Sequence, residues 1–504
     1  MGSRYAVGSG ALRTVVRGVK MGSVTMTLMG DTDMISGFRI RVQKPLLGIV
    51  AGLITMMLLS TGQLFAADAG TPPSTWKAGV ATMVITPEQS MWMAGYAARN
   101  KPSEGKVHDL YAKALALEDA EGTRLVLVTA DLIGFPREFR DRLEKAVAER
   151  YKLASACLLL NASHTHSGPE LRAWRATQTW DLPPEQVELG RQYAEVLLGK
   201  LVELVGRSLD ALAPAQLSYV HARAGFAMNR RQQVGGGYSI APNADGPVDH
   251  DVPVLLVKGP DGQMRALVFG YACHNTTLDG YEFCGDYAGF AQQYVEETHP
   301  GTAAMFVAGC GGDQNPTPRR TMEWARQHGR ALANAVEAAL VAKSRPVRGP
   351  LHVALGEVAL ELAQPDVQEL KRQAASNDKY AKRYAEGVLG ELEKTGRVAT
   401  TYPYLVHVVR FGDDLTMIGL AGEVVVDYSL RLKKELTDTP VWVAGYTNEV
   451  FGYVPSERVL QEGGYEATGA ILYYGTMPSP FRPSVERLIV GKVHELVNQA
   501  KDKK

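Results

Sequence analysis

His164 and His166 stand two residues apart in Asn161-Ala162-Ser163-His164-Thr165-His166-Ser167-Gly168-Pro169, directly after the apolar run Ala156-Cys157-Leu158-Leu159-Leu160. On an extended chain both rings project to the same side, so one imidazole can bind a metal while its neighbour handles a proton. Taken alone, the pair equally fits two hydrogen-bonded histidines closing the end of a strand. Three other apolar runs also end in a polar residue: Ala266 to Cys273 leads to His274, Met417 to Gly422 leads to Glu423, and Ala303 to Gly312 leads to Asp313. A lone His274 reads as a satisfied strand-end residue. Glu423, flanked by Gly422 and Val424, is costly to bury without a partner, which a cation or an arginine could supply. The glycines before Asp313 allow close backbone approach, and its carboxylate either offers a negative group or closes an Asx turn. Two imidazoles and a carboxylate, with a position left for water, make a catalytic zinc set. Spacing alone does not bring them together.

The elements that must position these groups alternate in type. Strands are expected at 124–133, 156–161, 215–221, 252–258, 265–271, 303–307 and 406–420, and helices at 136–151, 185–209, 286–297, 320–342, 424–436 and 484–501. The stretch 365–394 is polar and helix-prone, an excursion or lid. Such alternation argues for an α/β fold, a mixed sheet flanked by helices, with the histidine strand delivering its motif to a sheet edge. The chain has 504 residues, 45% of them hydrophobic and 21% charged, enough to bury the core of a single large catalytic domain over 70–504.

Lysine plus arginine equals aspartate plus glutamate at 54 each, which removes the electrostatic case for nucleic acid as a partner. Residues 1–69 read as a leader: Arg39, Arg41 and Lys44 precede the apolar segment 45–66, and Ala67-Asp68-Ala69 follows. That is the layout of a secretory signal peptide, although the run is nearly long enough to stay as a membrane anchor. Either way the body is exported, to the periplasm or the medium. Four scattered cysteines, Cys157, Cys273, Cys284 and Cys310, form no metal pattern; an exported chain allows one disulfide, with Cys273 and Cys284 as the candidate pair.

The segment Ser163 to Pro169, the strand ending in His274, Gly312-Asp313-Gln314-Asn315-Pro316, Ala421-Gly422-Glu423, and Gly452-Tyr453 with the later Tyr465-Glu466 follow one another as they do in the neutral/alkaline non-lysosomal ceramidases. Ile85-Thr86-Pro87, Gly95-Tyr96 and Asn229-Arg230 add to the match, and the chain resembles that family's catalytic N-terminal domain from about residue 77 to residue 488. The resemblance implies a zinc-dependent amidase that cleaves the N-acyl bond of ceramide or a related small N-acyl lipid, with peripheral membrane contact a possibility. It also implies one zinc per chain, held by His164, His274, Glu423 and Tyr453. His166 would lie beside the metal as proton shuttle or oxyanion donor, Arg230 would line the substrate pocket, and Tyr453 would stabilise the tetrahedral intermediate; Asp313, read from its own place after the glycines, joins them as a catalytic candidate.

Two departures limit that reading. Asn315 stands where the family typically has serine in G-D-x-S-P, so a side-chain nucleophile at 315 is excluded and a zinc-water route remains. The family's C-terminal β-sandwich is not expected, because the sequence stops soon after its last helix. Two alternatives stay open: a zinc hydrolase of the same fold acting on another ester, amide or N-acyl sugar of the cell envelope, and a non-catalytic binding protein.

Overall fold

The computed structural model describes residues 76–172 and 179–501; the leader 1–69 and its apolar segment 45–66 lie outside the described residues. Its largest sheet runs Ala303–Ala308, Met264–Tyr271, Asp251–Lys258, Ala213–Arg223, Trp76–Val84, Tyr111–Glu118, Arg124–Ala130, Leu158–Ala162, with Arg345–Val347 paired to Ala213–Arg223. The two end strands are parallel to their neighbours and the pairings between are antiparallel, a mixed sheet as expected. A second sheet follows the order Leu351–Glu361, Thr401–Phe411, Leu415–Leu420, Val441–Ala444.

Strands such as Tyr111–Glu118 and Arg124–Ala130 are apolar nearly throughout rather than alternating, because both faces of the large sheet are covered. On one face Val126, Val128, Leu158 and Leu160 meet Phe139, Leu143 and Val147 of helix Arg137–Tyr151 and Leu197 and Leu201 of helix Pro184–Asp210. On the other, Leu115, Leu127 and Leu159 pack on Val409, Met417 and Trp442 of the second sheet. Val406, Val408 and Ile418 on the far side of that sheet are closed by Ile489, Val493 and Leu496 of helix Val485–Lys501. The result is four layers, helix on sheet on sheet on helix. Among the described residues no helix is long and apolar enough to cross a membrane.

Several boundaries differ from expectation for local reasons. The run 406–420 is two strands, because Gly412 at φ 52° opens a turn that folds Leu415–Leu420 back on Thr401–Phe411. The helix expected from 424 begins at Asp427, since Glu423–Val424 pairs in parallel with Tyr453–Val454. The polar stretch 365–394 forms helices Val367–Ala374 and Lys379–Thr395, each started by an aspartate whose carboxylate accepts two backbone N–H groups, Asp366 and Asp378. The Cys273–Cys284 pairing is not formed: all four cysteines are free, and Cys284 Sγ lies 3.3 Å from His108 Nε2 instead.

One side chain ties the layers together where the site forms. Asn161 Oδ1 accepts the Ala308 N–H at 2.8 Å and Asn161 Nδ2 donates to the Gly445 carbonyl at 2.8 Å. The carboxyl ends of both outer strands of the large sheet and of strand Val441–Ala444 therefore meet at one buried amide.

Candidate metal centre

Just past Asn161 the chain turns sharply, with His164 at φ 59°, a conformation few non-glycine residues adopt and one that concentrates at functional sites. The turn aims the His164 ring inward, where Nδ1 lies 2.6 Å from the Ile133 carbonyl. His274, beyond strand Met264–Tyr271, places its Nδ1 2.7 Å from the Gly311 carbonyl. Gly311 has to be glycine, because a Cβ there would sit 2.6 Å from the Cys273 backbone nitrogen. Each Nδ1 can only donate to its carbonyl, so in the neutral imidazole the lone pair is at Nε2.

Those lone pairs converge. Glu423 Oε2 lies 3.1 Å from His164 Nε2 and 2.9 Å from His274 Nε2, and the Tyr453 hydroxyl is 3.2 Å from His274 Nε2. His166 Nε2 is 3.2 Å from His164 Nε2, so His164, His166 and His274 form a group able to hold a metal ion. Glu423 Oε2 is buried and receives no hydrogen bond. Where Glu423 Oε2 faces a neutral imidazole nitrogen the two acceptors repel, and a cation between them turns that repulsion into ligation. Two imidazoles, a carboxylate and a phenol fit a divalent ion such as zinc. Burial and the Arg230 charge push the His274 imidazole down to about 4, and burial with the two neighbouring imidazoles pushes His166 well below its ordinary value, so both are neutral near pH 7.

His166 is held differently from the other two. Among the described residues its Nδ1 is buried without a partner, and its ring is clasped by Tyr96, ring centroids 4.9 Å apart, and by Gly95, where no side chain would fit. No carbonyl fixes its tautomer.

Arg230 reaches the centre from strand Ala227–Val234. Its Nη2 donates to the Tyr453 hydroxyl at 2.8 Å, its Nη1 to Asn315 Oδ1 at 3.2 Å and its Nε to Glu466 Oε1 at 2.8 Å. Asn315 thus steadies an arginine. Asp313 bonds to other loops: its carboxylate accepts the Val426 N–H at 2.8 Å and Asn229 Nδ2 at 3.1 Å, and its carbonyl accepts the Arg230 N–H at 2.8 Å. Burial lifts its carboxyl to about 7, and its contacts are those of a loop organiser. Tyr446, whose ring lies 4.3 Å from that of His164, and Tyr474, whose hydroxyl donates to Glu423 Oε1, complete the cage. Sequence reasoning missed both, for a tyrosine in a loop or a one-turn helix carries no periodic signal.

The family model described as "Neutral/alkaline non-lysosomal ceramidase, N-terminal" matches residues 76–319. Among solved structures, the neutral ceramidase from Pseudomonas aeruginosa is similar at TM-score 0.65 and 18% identity, over 85% of this chain and 75% of that one. A ceramidase complexed with C2 is similar at TM-score 0.62 and 17% identity, over 84% of this chain and 76% of that one. At such identities the likeness is one of fold, and no curated protein sequence matches the chain. Residues 76–319 match the N-terminal-domain model of the neutral/alkaline non-lysosomal ceramidases, and the fold that holds them is the one seen in solved neutral ceramidases.

Proposed function

We propose that the protein is an exported, zinc-dependent amidohydrolase that splits the N-acyl amide bond of ceramide or a closely related N-acyl lipid with water. The observation that carries this reading is the convergence of His164 Nε2 and His274 Nε2 on Glu423 Oε2, at 3.1 and 2.9 Å, each imidazole backed by a carbonyl at Nδ1. Those three and the Tyr453 hydroxyl would hold one zinc. Bound there, zinc supplies Lewis acidity that polarises an amide carbonyl and acidifies a water.

The chain's own residues do the rest. His166, neutral and with no carbonyl at Nδ1, is free to take the proton of the attacking water at one nitrogen and return it to the leaving amine. Arg230 orients the Tyr453 hydroxyl and brings a fixed positive charge to the side where the carbonyl oxygen gains charge. Glu466 holds that guanidinium still, while Ile471, Met477 and Phe481 line a small pocket beside Tyr453. Asn315 favours the second reading, another N-acyl substrate on the same centre, because it replaces the family serine against Arg230.

The test is metal analysis of the purified protein together with hydrolysis of a detergent-dispersed short-chain ceramide. One zinc per chain is expected, with activity lost to chelation and restored by zinc. Zinc-loaded protein that releases no fatty acid from ceramide but cleaves another acyl compound would leave the hydrolase and remove the ceramidase.

A further inference from the structure

Glu423 has two carboxylate oxygens and the structure treats them differently. Oε2 faces the histidines and receives no hydrogen bond, whereas Oε1 accepts the hydroxyl of Tyr474. Tyr474 ends the four-residue helix Ile471–Tyr474, stopped by Gly475 at φ 65°, and its ring stands edge-on to that of Tyr453 with centroids 6.3 Å apart. Over the ring, 5.7 Å from its centroid, lies the buried Arg172 guanidinium.

Arg172 does not drift there. Its Nε and Nη2 donate to the two oxygens of Glu170 at 2.7 and 2.8 Å, its backbone N–H donates to the same carboxylate at 2.9 Å, and the Glu170 N–H is tied to the Trp92 carbonyl at 2.9 Å. A guanidinium over a phenol ring draws electron density from it and makes its hydroxyl a better donor. The same loop that carries His164 and His166 thus also carries the cation that backs Tyr474.

We infer that Tyr474 is a positioning residue for the metal centre: by occupying Glu423 Oε1 it makes Glu423 a one-oxygen ligand through Oε2, and Arg172 strengthens that hold. The inference rests on the proposed metal site and adds a prediction that site alone does not make. A carboxylate with both oxygens free can chelate an ion and fill the position that water needs. With one oxygen engaged by a phenol, that position stays open. Partners of this kind orient the ligands they touch, and their removal typically weakens metal binding about 10- to 100-fold.

The experiment compares wild type with Tyr474→Phe, which keeps the ring beneath Arg172 and removes only the hydroxyl. Zinc affinity by chelator competition is expected to fall about 10- to 100-fold, the visible spectrum of the cobalt-substituted protein to change, and kcat to fall more than KM rises. Metal-free thermal midpoints should coincide. Because Tyr474 acts through Glu423, Tyr474→Phe should add nothing to Glu423→Gln in zinc affinity. Equal affinity and an unchanged cobalt spectrum in Tyr474→Phe, or strict additivity in the double variant, would overturn the inference. If the variant does not fold, a crystal structure of zinc-loaded wild type decides: Oε2 alone on the metal with Oε1 on Tyr474 supports it, and both oxygens on the metal refutes it. Wild type that binds no metal would instead remove the metal-centre reading itself.

Discussion

Gly95→Ala is a one-methyl test of how tightly His166 is held. Gly95 sits at φ 100°, and a Cβ there would fall 2.5 Å from His166 Cγ and Nδ1 and 2.7 Å from its Cβ. Carbon atoms pack at about 3.5 Å or more, so the ring or the turn must retreat by roughly 1 Å. The turn cannot move alone, because the neighbouring Ala94 N–H is bonded to the Gly168 carbonyl at 2.9 Å and Tyr96 lies against the His166 ring. The unfavourable backbone conformation costs about 1–2 kcal/mol and the overpacking about 1–3 kcal/mol. Misplacing an acid-base group by about 1 Å is worth about 100-fold in rate. Steady-state hydrolysis, zinc content and thermal unfolding would therefore give turnover down about 100-fold, zinc retained, and a lowered unfolding midpoint. Retention is expected because the three atoms nearest that Cβ all belong to His166, which is not one of the four proposed ligands. Turnover close to wild type in a folded, zinc-loaded Gly95→Ala protein would show that His166 does not need its observed place.

His164→Ala and His274→Ala should each lose both zinc and activity, and stoichiometric zinc in either one refutes the ligand set. His166→Ala should keep zinc and lose about two to four orders of magnitude in turnover; an unchanged rate would leave it a structural role only. His407, fully buried with Nε2 2.8 Å from the Ala156 carbonyl, is pushed by burial from 6.5 down to about 4, so it is neutral when folded. The unfolded chain binds the extra proton first as pH falls from about 6.5 to about 4, so stability present above that window is lost within it, by up to about 3 kcal/mol. Denaturant midpoints measured across the window should fall less steeply in His407→Gln, and an equally steep fall would refute the assignment.

Apolar runs announced most of the large sheet and its helices, because both faces of each strand are buried and no alternation is needed to see them. Strand Ala227–Val234 was invisible for the opposite reason: its buried residues include Asn229, Arg230 and Arg231, which satisfy one another and Glu466 rather than packing as a core. Tyr111–Glu118 carries lysine and glutamate among small residues, and its buried Lys113 is paid for by Glu296 and the Ala304 carbonyl, partners no local window contains. In the site, His164, His166, His274, Glu423 and Tyr453 were legible from motif order, and the structure brings them together. Asp313 was legible as a residue but not as a loop organiser, since its role depends on Asn229 and Val426 far away in sequence. Tyr474 and Glu423 likewise meet only through the tertiary fold.

The candidate donors are scattered from residue 164 to residue 453 and hang from the ends of both sheets. An ion gripped by all of them is therefore a crosslink as well as a reagent, closing several long loops at a single point. Loop closure of that length removes conformational freedom from the unfolded chain, and the free energy of ion binding adds to the stability of the folded one. Stripping the ion should loosen the seam between the sheets before either sheet melts, exposing segment 421–454 to proteases while strands buried in the layers stay protected.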